Sequence, residues 1–368
     1  MMRTRVLFSF LLFFFGMPAL AQTLGQASGP WILEKSGTTA GLRGIHAVGG
    51  GVAWASGTNG TVLRTEDGGY EWQSCAMPPG AEKLDFRGVW AWDDQTAIIM
   101  SSGTGDASRL YKTTDGCSSW KLLFANPDKD GFWDGMVFLN RERGYLLGDP
   151  VGGKITFLTT KDGGDTWSRS DAVGLAADSN GGAFAASNSS LLGRPNEPVA
   201  FGSVGAFYYY QSFTGTVSFP GKPGTPIRMT EQWGHVLVPL AHDGASAGIF
   251  SLGFHEGPVH GYGYSLVAVG GDYTKPSETA GTAAWSADGG KTWTASTRPP
   301  HGFRSAVAWD PDLKAWIAAG TNGSDISYDD GKTWQPLDDG NWNALSLPWV
   351  AGPNGRIAKL DPGKIGKH

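Results

Sequence analysis

Ser286-Ala287-Asp288-Gly289-Gly290-Lys291-Thr292-Trp293 is one of five versions of a single eight-residue pattern. The others run Thr65 to Trp72, Thr113 to Trp120, Thr160 to Trp167 and Ser327 to Trp334. Each places a hydroxyl residue two positions before an aspartate, glycine one or two positions after it, and a tryptophan five positions after it. In a tight hairpin the short carboxylate folds back onto turn amides while glycine supplies positive φ. The tryptophan then opens the next strand with a large apolar surface to bury. The pattern is an Asp-box, and recurrence along the chain predicts an all-β repeat architecture, a β-propeller. Asp67, Asp115, Asp162, Asp288 and Asp329, with Trp72, Trp120, Trp167, Trp293 and Trp334, are therefore read as structural rather than as a ligand site.

Composition agrees with short strands and tight turns. The chain has 56 glycines and 16 tryptophans among 368 residues, and only 17% of its residues are charged. At the N-terminus, Arg3 and Arg5 precede the apolar run Val6 to Phe15 and then Ala19-Leu20-Ala21, the three parts of a secretory signal peptide. Residues 1–21 are expected to be cleaved, leaving 22–368 as one propeller domain that is periplasmic or secreted. The apolar run is too short to span a bilayer, and no later stretch resembles a transmembrane helix. Loss of Arg3 and Arg5 takes the formal charge from −5 to −7. That leaves no basic field for nucleic acid, which is excluded as a partner. Cys75 and Cys117 are free to pair in an oxidising compartment, but sequence alone does not decide whether they do.

Counting outward from the boxes gives seven blades. First strands begin near Leu42, Phe86, Phe132, Gly182, Ala247, Phe303 and Trp342. Second strands end in glycine turns at Gly57, Gly103, Gly148, Gly202, Gly270, Gly320 and Gly352. In blade four the box is lost to an insertion around Ser212 to Thr230, and Trp233 fills the tryptophan position. Blade seven runs out of chain after Leu360, so its outer strand must come from Trp31 to Glu34, closing the ring between the two termini.

The boxes join third to fourth strands, so the starts of the first strands lie on the opposite face. At that axial mouth the sequence places Arg43, Arg87, Arg304, Asp134, Asn343 and Tyr273. Three arginines there form a fork-rich surface for a carboxylate, another anion or an acidic protein segment. The competing expectation is that each arginine pairs with an aspartate to fix blade geometry. His242, His255 and His260 do not form a metal-ligand set, so no metal or other cofactor is expected.

The boxes resemble the BNR repeats of sialidases and other secreted glycosidases. Leu42-Arg43-Gly44-Ile45-His46-Ala47, Gly57-Thr58-Asn59-Gly60-Thr61-Val62-Leu63-Arg64-Thr65 and the Asp-Gly-Gly turn more closely resemble the photosystem II stability/assembly factor family. That resemblance covers essentially the whole mature chain. It implies a propeller that works without catalysis, binds membrane-protein assembly intermediates and uses an arginine patch, for which Arg43, Arg87 and Arg304 are the matching positions. The loss of the box in blade four and the longer loop from Lys275 to Gly281 depart from that family. The alternative is a glycoside hydrolase acting on a glycan through Asp134, Asp149 and Asp272 at the same mouth. No glutamate falls on a first strand, which counts against a sialidase.

Overall fold

The computed structural model describes residues 29–170, 182–186, 188–193, 199–211, 214–217, 225–228, 232–256 and 264–366. The expected signal peptide and His260 lie outside the described residues. Seven four-stranded antiparallel sheets follow one another along the chain, and they form a seven-bladed β-propeller. Blade one, for example, pairs Leu42–Gly49, Val52–Gly57, Val62–Thr65 and Gln73–Ser74 in that order. Blade seven takes Ala344–Ser346, Trp349–Ala351 and Ile357–Leu360 from the C-terminal end and Trp31–Glu34 from the N-terminal end, with Trp31 opposite Leu360 and Glu34 opposite Ile357.

Burial explains why the strands sit as they do. The middle strands of the blades are buried on both faces, as in Ala97–Ser101 and Ala315–Gly320, because each blade is sandwiched between two others. Trp31 is 1% exposed and packs with Trp342, Ile317 and Val350. A tryptophan removed from water this fully stabilises by about 4 kcal/mol before its ordering cost. Its indole Nε1 donates to Ser324 Oγ of blade six at 2.8 Å, so the closing strand is held by a polar bond as well as by packing.

The five repeated turns share one geometry. Asp67 Oδ1 accepts from Thr65 Oγ1 at 2.9 Å and from the Glu71 amide at 3.0 Å, while Thr65 Oγ1 accepts from the Gly69 amide at 3.0 Å. The same three bonds recur around Asp115, Asp162, Asp288 and Asp329. Hydrogen bonds from Ser119 hold Asp115 at a pKa of about 2, and those from Thr166 do the same for Asp162. Trp72, Trp120 and Trp334 are buried, and Trp167 and Trp293 are half-buried.

Each turn also leans on the preceding blade. A β-carbon at Gly164 would lie 2.6 Å from Ile98 Cδ1, and one at Gly290 would lie 2.5 Å from Phe207 Cε1. Close approach and a φ near +90° both demand glycine there. In blade two that position is Cys117, at φ +64°. Its sulfur is bonded to Cys75 of the preceding blade, with the Cα atoms 5.2 Å apart. A covalent link thus takes the place of the glycine contact.

Blade four departs from expectation. Its inner strand is Leu191–Leu192, not the stretch beginning at Gly182. Ala183, Phe184 and Ala185 lack the branched residues that favour a pleated strand, and they line the axial cavity instead. Within the insertion, Thr214–Val217 and Thr225–Arg228 form a separate two-stranded hairpin.

Candidate functional site at the axial mouth

The inner strands of blades one, two, three and five each carry a one-residue irregularity at their mouth end, between Leu42 and Gly44, Phe86 and Gly88, Trp133 and Gly135, and Ile249 and Ser251. The extra residues are Arg43, Arg87, Asp134 and Phe250. A bulge breaks strict alternation and re-aims the side chain it carries. The glycines that end the second strands, such as Gly57 and Gly148, allow the close approach: a β-carbon on either would meet the carbonyl oxygen of the residue just before the first strand, Gly41 or Phe132, at 2.3 or 2.5 Å.

Arg43, Arg87, Ser305 and Asn343 line a cavity of about 600 Å³ together with Asp149, Phe184, Phe250, Phe303 and Tyr273. Blade order divides it. Blades seven, one and two supply Asn343 and the two arginines, while blades four, five and six supply the aromatic residues. Phe184 stacks on Phe250 at 3.8 Å, and Phe303 meets Phe250 edge-on at 4.7 Å. Tyr273, 53% exposed, completes the cluster 6.1 Å from Phe250.

One carboxylate serves both arginines. Arg87 Nε donates to Asp85 Oδ2 at 2.8 Å, and Arg43 Nη2 lies 3.7 Å from the same oxygen. Their side chains are 29% and 38% exposed. Burial, and then the charge of Arg87, pulls the Arg43 pKa below its ordinary value. Among the described residues the Arg43 guanidinium has no hydrogen-bond acceptor, and its Nε is both buried and unsatisfied. Asn343 is partly committed, since its Nδ2 donates to the Leu42 carbonyl at 2.8 Å.

Arg304 is placed elsewhere than expected. The Leu42, Arg304 and Trp342 amides each donate to the glycine carbonyl that ends the second strand of the preceding blade, Gly352, Gly270 and Gly320 respectively. Arg304 is therefore the counterpart of Leu42, and Ser305 is the counterpart of Arg43. A one-residue slip turns a side chain from one face to the other. Arg304 is fully buried and bonded to Asp325, to Asn322 Oδ1 at 2.7 Å and to the Phe303 carbonyl.

The carboxylates of the glycosidase alternative, Asp134 with Asp149 or Asp272, do not face the cavity as a pair. Asp134 is 2% exposed and does not line the cavity. Burial, reinforced by Asp149 and opposed by Arg87, raises its pKa well above the ordinary range. Asp149 lines the cavity, and burial raises its pKa despite a bond from the Ala183 amide. Asp272 is turned to Thr274 and Lys275, and the Thr274 bonds lower its pKa. A two-carboxylate mechanism needs both groups facing the scissile bond, and among the described lining residues Asp149 is the only acid. No group of three or more His, Cys, Asp or Glu among the described residues is arranged to hold a metal ion.

The cavity has a floor. Asn188 Nδ2 donates to the Val89 carbonyl of blade two, its Oδ1 accepts from the Met136 amide of blade three, and the Ser189 carbonyl accepts from Leu252 of blade five. A segment bonded to blades on opposite sides crosses the axis. Phe184, Phe250, Phe303 and Ser305 were not anticipated from sequence. Phe250 and Ser305 come level with Arg43 only once each first strand is paired with the glycine that ends a second strand, because the intervening turns differ in length.

No protein-family model matches the chain, and no curated protein matches its sequence. Among solved structures it is similar to YCF48 bound to D1 peptide, with a TM-score of 0.58 at 17% identity, covering 92% of this chain and 97% of that one. It is similar to YCF48 from Cyanidioschyzon merolae, with a TM-score of 0.55 at 17% identity over 91% and 99% of the two chains. It also resembles the extracellular domain of a hybrid two-component system from B. thetaiotaomicron, with a TM-score of 0.56 at 11% identity, covering 90% of this chain and 40% of that one. At these identities the likeness is one of fold.

Proposed function

We propose that this chain is a non-catalytic, extracytoplasmic propeller that binds a segment of a protein partner in its axial cavity and acts as an assembly or stability factor. The observation that carries the reading is the pairing of Arg43 and Arg87 on a single carboxylate in a cavity whose other side is lined by the Phe184, Phe250, Phe303 and Tyr273 rings. Two guanidiniums sharing one acid retain donors for a ligand carboxylate. The Phe184, Phe250 and Phe303 side receives an apolar side chain of the same segment, as binding pockets combine apolar walls with a few placed polar groups. A solved structure of similar fold that holds a peptide supports this choice of ligand class. The chain's own leader-like N-terminus supports the location.

The test is selection of peptides from a displayed random library on the mature protein, followed by affinity measurement on Arg43→Ala/Arg87→Ala and on Phe250→Ala. Selected peptides that carry an acidic group beside an apolar residue, and that lose about tenfold or more in affinity on the double variant, support the reading. Peptides indifferent to both variants overturn it. Fractionation of host cells with an antibody to the protein tests the location, and recovery with the cytoplasm would refute it.

A further inference from the structure

A second cavity, of about 520 Å³, lies between blades three and four. It sits where the repeated turn is missing. Elsewhere that turn covers the face of the preceding blade, as Gly290 and Trp293 cover Phe207, or as Gly331 approaches Val267. Blade four keeps the tryptophan, with Trp233 4.8 Å from Phe157 of blade three, but its hairpin has replaced the turn. Among the described residues, the face carrying Tyr145, Phe157 and Thr159 opens onto this gap. These three residues share one side of the sheet, since Tyr145 pairs with Thr159 and Leu147 with Phe157.

Among the described residues the chemistry of the gap is one-sided. Arg143, Lys161 and Arg169 line it, and no described lining residue is acidic. Arg169 is paired with Asp128, whereas Arg143 and Lys161 are exposed and form no ion pair among the described residues. Tyr145 and Tyr210 are half-buried aromatic walls, and Thr159 and Ser170 add hydroxyls. We propose that this gap is a binding site for an acidic sugar, a uronic-acid-type mono- or disaccharide. Its carboxylate meets Arg143 and Lys161, and its apolar ring face lies against the tyrosines.

An extended peptide fits less well. The strands that carry Tyr145, Phe157, Thr159 and Tyr210 are already paired on both sides, so they present side-chain faces and no open edge for strand addition. The volume is that of a small-ligand site. The proposal does not depend on the axial cavity, which lies on the opposite face.

The test is isothermal titration of the mature protein with digalacturonate, with lactose as the uncharged comparator and tetraglutamate as the acidic peptide. Digalacturonate should bind, lactose should not, and affinity should fall about tenfold on Arg143→Ala/Lys161→Ala. Tyr145→Ala should weaken it independently, and Arg43→Ala/Arg87→Ala should leave it unchanged. Both cations are exposed, so folding is not at stake in the first variant. No binding, or binding indifferent to the Arg143/Lys161 pair, overturns the site. Equal binding of tetraglutamate overturns the sugar assignment, and loss on the Arg43/Arg87 variant moves the ligand to the axial cavity.

Discussion

Arg304 Nε donates to Asp325 Oδ2 at 2.6 Å, and neither side chain reaches solvent. Removing one partner of such a pair strands the other charge in the interior, so Arg304→Ala should cost about 3–5 kcal/mol. Arg43 and Arg87 are partly solvated, and their alanine variants should each cost about 1 kcal/mol or less. Urea unfolding of the three variants checks the contrast. Similar losses for all three would mean that the mouth arginines are structural.

His301 faces the same network. Its Nδ1 is 2.9 Å from Asp325 Oδ1, and that bond raises its pKa above 6.5 against the opposing effects of burial and Arg304. Because the folded value is raised, the stabilisation is complete below about pH 6.5 and is lost as pH rises through the folded pKa. Denaturant midpoints measured from pH 5 to 9 should show a decline across that window, and His301→Gln should flatten it. A decline unchanged in the variant assigns it to another group.

Cys75 and Cys117 close a 42-residue separation and tie blade one to the turn of blade two. On chain entropy alone, removing the link costs about 4 kcal/mol. Cys75→Ser/Cys117→Ser should therefore unfold at lower denaturant. Cys117→Gly/Cys75→Ser should recover part of the loss, because glycine suits φ +64° without strain. No difference between the two double variants would show that the backbone cost at this position is negligible.

Asp329 Oδ1 accepts from Ser327 Oγ and the Thr333 amide, and its Oδ2 accepts from Thr333 Oγ1 at 2.6 Å. Asp329→Ala should cost about 1–2 kcal/mol and raise amide exchange in residues 327–334 while leaving the axial cavity unaffected. Exchange spreading to Arg43 or Arg87 would show that the turns control the mouth as well.

The fold was legible because its devices are local. A hydroxyl, an aspartate, a glycine and a tryptophan at set spacing define a hairpin without reference to anything distant. The lack of a partner strand for Ile357–Leu360 pointed to Trp31–Glu34. The mouth was only half legible. Arg43 and Arg87 stood out, but placing Arg304 beside them required the register of blade six to one residue, and Phe303-Arg304-Ser305 can be laid over Leu42-Arg43-Gly44 with a slip that sequence does not penalise. Buried Asp325, on a third strand, settles that register only once the strands are paired. The aromatic half escaped for another reason. Phe184 comes from a segment without strand periodicity, and its role depends on a chain crossing that no local pattern encodes.

Blade seven takes its outermost strand from one end of the chain and the other three from the opposite end. Trp31 pairs with Leu360, so the strand Trp31–Glu34 has no neighbour in its blade until Ile357–Leu360, more than 300 residues later, is in place. Blades one to six are each built from one continuous stretch and can form independently, but the ring stays open, with a row of unpaired backbone groups at each end, until Ile357–Leu360 meets Trp31–Glu34. Completion is thus coupled to chain length: a product truncated before Ile357 leaves Trp31 without its berth and exposes two sheet edges. The joint works as a proofreading seam, through which only a chain that carries both Trp31–Glu34 and Ile357–Leu360 becomes a closed ring.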